Sequence, residues 1–346
     1  MKYSDILGQQ HIKEHFQNAV INKTVSHAYI INGEKSSGKA MLAKTFATAI
    51  MCEEGGLEPC LKCESCKKII NNCNPDLIKL VRDTEKKADI IRIDEIRLQI
   101  VESMYERPYN GNHKVYIIED ADKMNVQAQN AILKTLEEPP EYAVLILTTT
   151  NVERLLPTII SRCIVLNMRP VEDELIKQYL RERGRLLDTG IDIVTAMAGG
   201  NVGKARLLSE DEEFNEFQES IIDILKDLPK TGYRRILEAV ETICVLTGKD
   251  KKSKNKKKSK YQGEDVLDLF ILWYRDVLLY KATGEIDNLI FRNYTTEIAL
   301  QADYFRLDGL ETVFKEIEDA RGKIKSFINY EAIMELLLIN IQEISK

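Results

Sequence analysis

At 346 residues, with 44% hydrophobic and 30% charged residues, the chain is of the globular class and too long for one simple core, so two or three domains are expected. The first residues (MKYSDILGQQH) lack an apolar signal region, and the longest apolar runs, 144–147 and 336–339, are far too short for a bilayer; neither a secreted nor a membrane-spanning protein is expected, and the expected location is cytoplasmic. Net charge is −6, but residues 249–260 (KDKKSKNKKKSK) carry eight Lys and a local +7, leaving −13 for the rest, which argues against a chain that coats nucleic acid uniformly.

Residues 1–168 alternate short apolar runs with helical spacing, the pattern of a parallel α/β sheet. Strands are expected at 28–32 (AYIIN), 77–81, 114–119 (KVYIIE), 144–149 (VLILTT) and 164–168. Helices are expected at 39–51, 94–104 and 125–138, the last stopped by Pro139 and Pro140. Beyond Arg169-Pro170 the pattern is helical only. A small unit reaches Leu208, broken by Gly199-Gly200, and long amphipathic helices fill 210–346, where Ile333, Leu337 and Ile341 mark one apolar face. The lysine run is read as a solvated loop between helices; contact with nucleic-acid phosphates is the alternative.

The expected helix near the N-terminus holds His11, Glu14 and His15 in the H-x-x-E-H order of one class of zinc peptidases. Two histidines on an amphipathic helix need no metal, and a peptidase would need a further ligand from elsewhere.

Chemistry concentrates first at 33–40 (GEKSSGKA), between a strand and a helix. Gly33 and Gly38 let backbone N–H groups of a loop through Ser36 and Ser37 wrap phosphate oxygens, the helix N-terminus favours anions, and Lys39 reaches the outer phosphates. Ala40 stands where a Ser or Thr hydroxyl ordinarily binds Mg²⁺. The strand at 114–119 ends in Glu119-Asp120, the reverse of the usual Asp-Glu order, displacing each carboxylate by one methylene. Errors of about 1 Å in such positions cost on the order of 100-fold in rate. A weak or silent ATPase is expected, with ATP or ADP still able to sit in the cradle unhydrolysed; a simple helix-capping role is the alternative for the two acids.

Five of the seven cysteines fall within 52–73. Cys52, Cys60, Cys63 and Cys66 have the spacing C-x7-C-x2-C-x2-C, which suits a closed tetrahedral zinc site with no vacancy for water and hence a structural one. Cys73 is a spare thiol or a competing ligand.

Gly8-Gln9, His27-Ala28-Tyr29, the block 134–140 (KTLEEPP), Ser161-Arg162-Cys163 and the four cysteines together resemble the bacterial clamp-loader family over most of the chain. The resemblance implies an AAA+ module at 1–168 with its zinc insert at 52–66, a helical lid at 169–208 and a helical collar for oligomerisation at 210–346. It implies that Arg162 enters a neighbouring subunit's ATP site as an arginine finger, and that Thr149 is the sensor of the nucleotide-like site. It further implies a five-subunit ring with gamma/tau-type motors and a delta subunit, acting on a sliding clamp and primed DNA within the DNA polymerase III holoenzyme. Ala40, the Glu119-Asp120 order, Gly203 in place of a sensor arginine, and the segments 93–97 (IDEIR) and 272–276 (LWYRD) favour the stator type of that family. An active motor subunit, or a zinc-and-collar scaffold without catalytic input, are the alternatives.

Overall fold

A computed structural model describes residues 1–80, 90–109, 111–249, 259–326 and 329–345. The chain falls into two compact units, Met1–Leu175 with Gly200–Lys204, and Ile176–Gly199 with Ala205–Lys346.

The first unit is built on five parallel strands in the order β2-β3-β4-β1-β5: β1 Ala28–Asn32, β2 Leu77–Leu80, β3 Lys114–Ile118, β4 Ala143–Thr149 and β5 Ile164–Asn167. All five expected strands are present, offset by a residue or so at their ends; Val81 lies outside the described residues. Side chains alternate across the sheet, so each strand feeds two cores. Ala28, Ile30, Tyr116, Ile118, Leu145 and Leu147 face one. Tyr29, Ile31, Val115, Ile117, Val144 and Ile146 face the other. Strands covered on both faces need continuous apolar runs, which is what 28–31 and 144–147 supply.

Helices α1 (Gln10–Ile21) and α2 (Lys39–Ile50) cover the second face. There Phe16 stacks on Phe46 at 3.8 Å between ring centroids, and Tyr29 meets Phe46 edge-on at 5.0 Å. A short helix α3 (Glu64–Ile70) lies in the cysteine insert. The first face is covered by α4 (Ile93–Ile96), α5 (Glu102–Met104), α6 (Val126–Glu137) and the single turn α7 (Pro157–Ile160). The expected helix at 94–104 is helical throughout but passes through a π turn at Arg97–Val101. Ile96, Ile100 and Met104 stay buried at four-residue spacing through it, so the sequence does not reveal the turn.

The second unit is all helical; α8 (Asp173–Arg183) and α10 (Val202–Glu210) each begin in the first unit and end in this one. It adds α9 (Asp188–Ala198), α11 (Phe214–Asp227), α12 (Tyr233–Leu246), α13 (Gly263–Thr283), α14 (Thr295–Tyr304), α15 (Leu307–Lys325) and α16 (Tyr330–Ile344). Gly199 and Gly200, which end α9, both adopt positive φ, as the expected break there requires. Ile333, Leu337 and Ile341 are buried on α16, which packs on α15 and α12. Of the lysine run, only Lys249, Ser259 and Lys260 lie among the described residues, so the loop expected there is not described. No helix among the described residues is long and apolar enough to cross a membrane.

A buried polar relay fixes the middle of this unit. Trp273 Nε1 donates to Gln301 Oε1 at 3.0 Å, and Gln301 Nε2 donates to the carbonyls of Leu225 (2.6 Å) and Lys226 (3.0 Å) at the end of α11. Asp276, with no exposed surface, accepts from the backbone N–H groups of Ile290 (2.7 Å) and Phe291 (2.8 Å) and pairs with Arg275. Removing the relay strands several buried polar groups. Gln301→Ala is expected to destabilise this unit by about 1–3 kcal/mol, read as an earlier urea transition in the fluorescence of Trp273, the sole tryptophan; an unshifted midpoint would contradict the relay's role.

Candidate functional site

The sheet register brings the C-terminal ends of β1, β4, β3 and β5 to one edge: Asn32 pairs with Thr149 and Asn167, and Ile118 with Leu147. This edge, where β1 is flanked by β4 and β5, is where open α/β sheets hold ligands. The loop 33–38 leaves β1 here, its Gly33 N–H bonded to the Thr149 carbonyl at 3.1 Å. Ser36 adopts left-handed φ of 63°, and Gly38, at φ of 97°, enters α2 where Lys39 begins. Residues 33–40 thus form a strand–turn–helix junction with two left-handed positions.

Three of its carbonyls, however, are already bonded within the chain. Lys39 is only 7% exposed, and its ammonium donates to the carbonyls of Gly33 (2.8 Å) and Glu34 (2.5 Å) in its own loop. Burial lowers its pKa, against the opposing fields of Asp120, Asp122 and Glu34. Residues 200–204 lie on the crest of the loop. Asn201 Nδ2 donates to the Lys35 carbonyl at 2.8 Å, and Gly203 approaches so closely that a Cβ there would stand 1.9 Å from the Ser36 carbonyl oxygen. Only glycine fits that approach. Ser37 Oγ sits 3.4 Å from Met168 Sδ, and Ala40 presents a methyl group with no oxygen for a metal.

Of the acids behind the loop, Glu119 and Asp122 are engaged as well. Glu119 pairs with Lys79 on the neighbouring strand at 2.6 Å, and Asp120 takes a left-handed turn, φ 51°. Asp122, to which no motif gives a role, is buried (8% exposed) and ties β3 to β4. It accepts from the hydroxyls of Thr149 (3.0 Å) and Thr150 (3.1 Å) and from the Thr150 N–H (3.1 Å). Burial opposes its ionisation, but these hydrogen bonds prevail and hold its pKa below the ordinary carboxylate value. The Thr149 hydroxyl is thus committed to Asp122 rather than free for a nucleotide.

Arg162 follows α7, away from this loop in its contacts. Its Nη2 pairs with Glu137 Oε1 at 2.9 Å, and its Nη1 donates to the Thr158 carbonyl (3.0 Å), with Ser161 Oγ at 3.4 Å. The segment leading into α7 is hung from α6 by Gln129, 3% exposed, which donates to the Arg154 carbonyl (3.1 Å) and accepts from the Leu156 N–H (2.7 Å). Burial raises the neighbouring Cys163 thiol to about 12, so it is no nucleophile.

The four cysteines converge at the far end of α2, about 18 Å along that twelve-residue helix from Lys39. Their sulfurs all lie within 4.8 Å of one another, and those of Cys60 and Cys66 stand 4.0 Å apart. A tetrahedral Zn²⁺ with Zn–S bonds near 2.3 Å needs S···S separations of about 3.8 Å. Backbone N–H groups point at the sulfurs: Cys60 N–H at Cys52, Cys66 N–H at Cys63, and those of Lys62 and Cys63 at Cys60. The last two lower the Cys60 thiol to about 7, favouring the thiolate a metal binds, while burial raises Cys66. The donor set fits zinc, and its four protein ligands leave no open position for chemistry. Cys73 is exposed, its thiol directed at the Lys68 carbonyl (3.5 Å), and is not one of the four. His11 and His15 join no metal-ligating group among the described residues; His11 meets the Asn167 carbonyl and His15 packs on Phe16 and Tyr29.

Residues 8–172 match the family model described as DNA polymerase III, delta subunit. Over 97% of the chain and 96% of the relative, identity to the DNA polymerase III subunit delta′ of Bacillus subtilis is 31%. Identity is also 31% to the DNA polymerase III subunit tau of that organism, over 92% of the chain but only 58% of the longer relative. A solved gamma subunit-related protein of DNA polymerase III from Thermotoga maritima covers 96% of the chain at 20% identity with a TM-score of 0.45.

The purified protein is expected to carry one zinc ion per chain by elemental analysis, and Cys66→Ser to lose it, with earlier thermal unfolding of the insert. Retention of stoichiometric zinc by that variant would contradict the four-thiolate assignment.

Proposed function

This chain belongs to the DNA polymerase III clamp-loader subunit family, on the delta-prime branch, and from that premise we propose that it is the stator of the loader: a subunit that keeps the AAA+ nucleotide fold as a rigid frame and gives its catalytic arginine to a neighbour. The observation that carries this reading is the closed phosphate loop. Lys39 is bound to its own loop, Asn201 and Gly203 sit on its crest, and Ala40 offers no Mg²⁺ ligand. Mg²⁺-assisted phosphoryl transfer needs that hydroxyl and a lysine free for the outer phosphates. ATP or ADP bound in such a cradle would have to draw Lys39 away from the Gly33 and Glu34 carbonyls.

Arg162 stands in the opposite condition. Its guanidinium is half-exposed after a one-turn helix, and its ion pair and hydrogen bonds go to Glu137, Thr158 and Ser161 rather than to its own phosphate loop. Placed against a neighbouring motor's ATP, it stabilises the charge that develops on the transferred phosphoryl group, an effect worth about 10³–10⁵ in rate in other nucleotide hydrolases. The lid at 169–208 and the collar at 210–346 complete the reading. The collar helices would bury apolar faces against those of gamma/tau-type and delta partners in a ring that opens the sliding clamp and places it on primed DNA. A four-thiolate zinc module fits as a structural insert of the frame. Polymerisation itself is no part of this chain's chemistry.

Two measurements bear on this. The isolated chain is expected to show no Mg²⁺-dependent ATP hydrolysis above background, and Ala40→Ser to leave it so because Lys39 and residues 201–203 still close the loop; turnover at a motor's rate would contradict the stator assignment. In the reconstituted loader, Arg162→Ala is expected to slow the single site it faces by about 10³-fold or more, seen as loss of that site's share of the ATPase, and an unchanged rate would leave only a scaffold role.

A further inference from the structure

Glu137 is the last residue of α6 and ends on Arg162. A carboxylate there breaks a local rule, because the C-terminal end of a helix carries partial negative charge and favours cations. Glu138 follows it and Pro139-Pro140 end the helix, so two acids are held where the helix field disfavours them. Places where a sequence breaks a local preference without local return are candidate functional positions. The backbone at Glu137 is firmly anchored: Thr135 and Leu136 are 2% and 3% exposed, and the Thr135 hydroxyl donates to the Ile132 carbonyl at 2.6 Å.

We infer that Glu137 is a positioning residue for the in-trans action of Arg162, holding the guanidinium in its donating orientation before the neighbour's nucleotide arrives; this rests on the arginine-finger reading above. A guanidinium carries five N–H donors in a fixed fork. Glu137 engages Nη2 at 2.9 Å, the Thr158 carbonyl engages Nη1 at 3.0 Å and Ser161 Oγ lies 3.4 Å from Nη1, which leaves Nε–H and the second Nη2 N–H for phosphate oxygens. The anchors come from different helices, α6 and α7, and α7 is itself fixed to α6 through Gln129, so the fork is braced from two sides. A long arginine side chain otherwise loses its rotamer freedom at the moment of reaction, and bracing it beforehand removes part of that cost. Glu137 touches no substrate and acts only through Arg162.

The test is a double-mutant cycle in the loader reconstituted from this chain and its motor and delta-type partners, with clamp and primed DNA, reading the part of the ATPase that Arg162→Ala removes. Glu137→Ala is expected to lower the kcat of that part about threefold to fivefold, the scale of an exposed ion pair, with KM for ATP and the melting temperature of the isolated chain unchanged. Added to Arg162→Ala it should have no further effect, and Glu137→Asp should recover part of the loss. A full rate in Glu137→Ala, a faster one, or an equal loss in both backgrounds overturns the positioning role while leaving the finger intact. An Arg162→Ala loader that hydrolyses ATP normally overturns the finger reading and this inference together.

Discussion

The close approach of Gly203 to the Ser36 carbonyl governs the nucleotide-like edge of this protein. With no side chain at 203, residues 200–204 settle directly on the phosphate loop, and the Asn201 amide satisfies the Lys35 carbonyl that would otherwise face solvent or ligand. Backbone groups removed from water need partners, and each such bond is worth only about 1 kcal/mol net. Here they act together with the inward-turned Lys39, so the carbonyls of Gly33, Glu34 and Lys35 are all bonded within the chain. Anything that opens the loop must replace all of them. The same internal bonding extends to the strand ends behind it, where Asp122 holds Thr149 and Thr150 and Lys79 holds Glu119. A motif built to grip phosphate thereby becomes the pin that fixes β1, β3 and β4 at one edge.

Helix α2 joins that pin to the four-cysteine insert. Its first residue is Lys39 and the cysteine module begins with Cys52 just past its end, while its middle buries Leu42, Ala43, Phe46 and Ala47 in the core. Four cysteines that could hold a metal lie at one end and the loop with its internally bonded Lys39 at the other, so the helix links the two. What remains free to act is Arg162, carried on the other face of the sheet by α6 and α7. On the proposed reading, frame and finger are separate devices on one module.

The parts legible in sequence are those encoded by neighbours along the chain. Short apolar runs mark all five strands, glycine spacing marks the loop, and C-x2-C-x2-C marks the metal module because its ligand turns are local. Contacts between distant segments are not legible: the Asn201–Lys35 bond spans 166 residues and the Asp122–Thr149 bond 27. Glu137 is visible as part of the 134–140 block, yet nothing near it in sequence names Arg162 as its partner. The π turn at Arg97–Val101 escapes because it preserves the apolar spacing of the helix it interrupts.

Backbone amide exchange across residues 33–39 of the isolated chain, with and without millimolar Mg²⁺-ATP, probes most directly whether the loop is closed by the protein itself. Exchange unchanged by nucleotide is the predicted result. Fast exchange that becomes strongly protected when Mg²⁺-ATP is added would mean an open, ligand-gripping loop and would contradict the account.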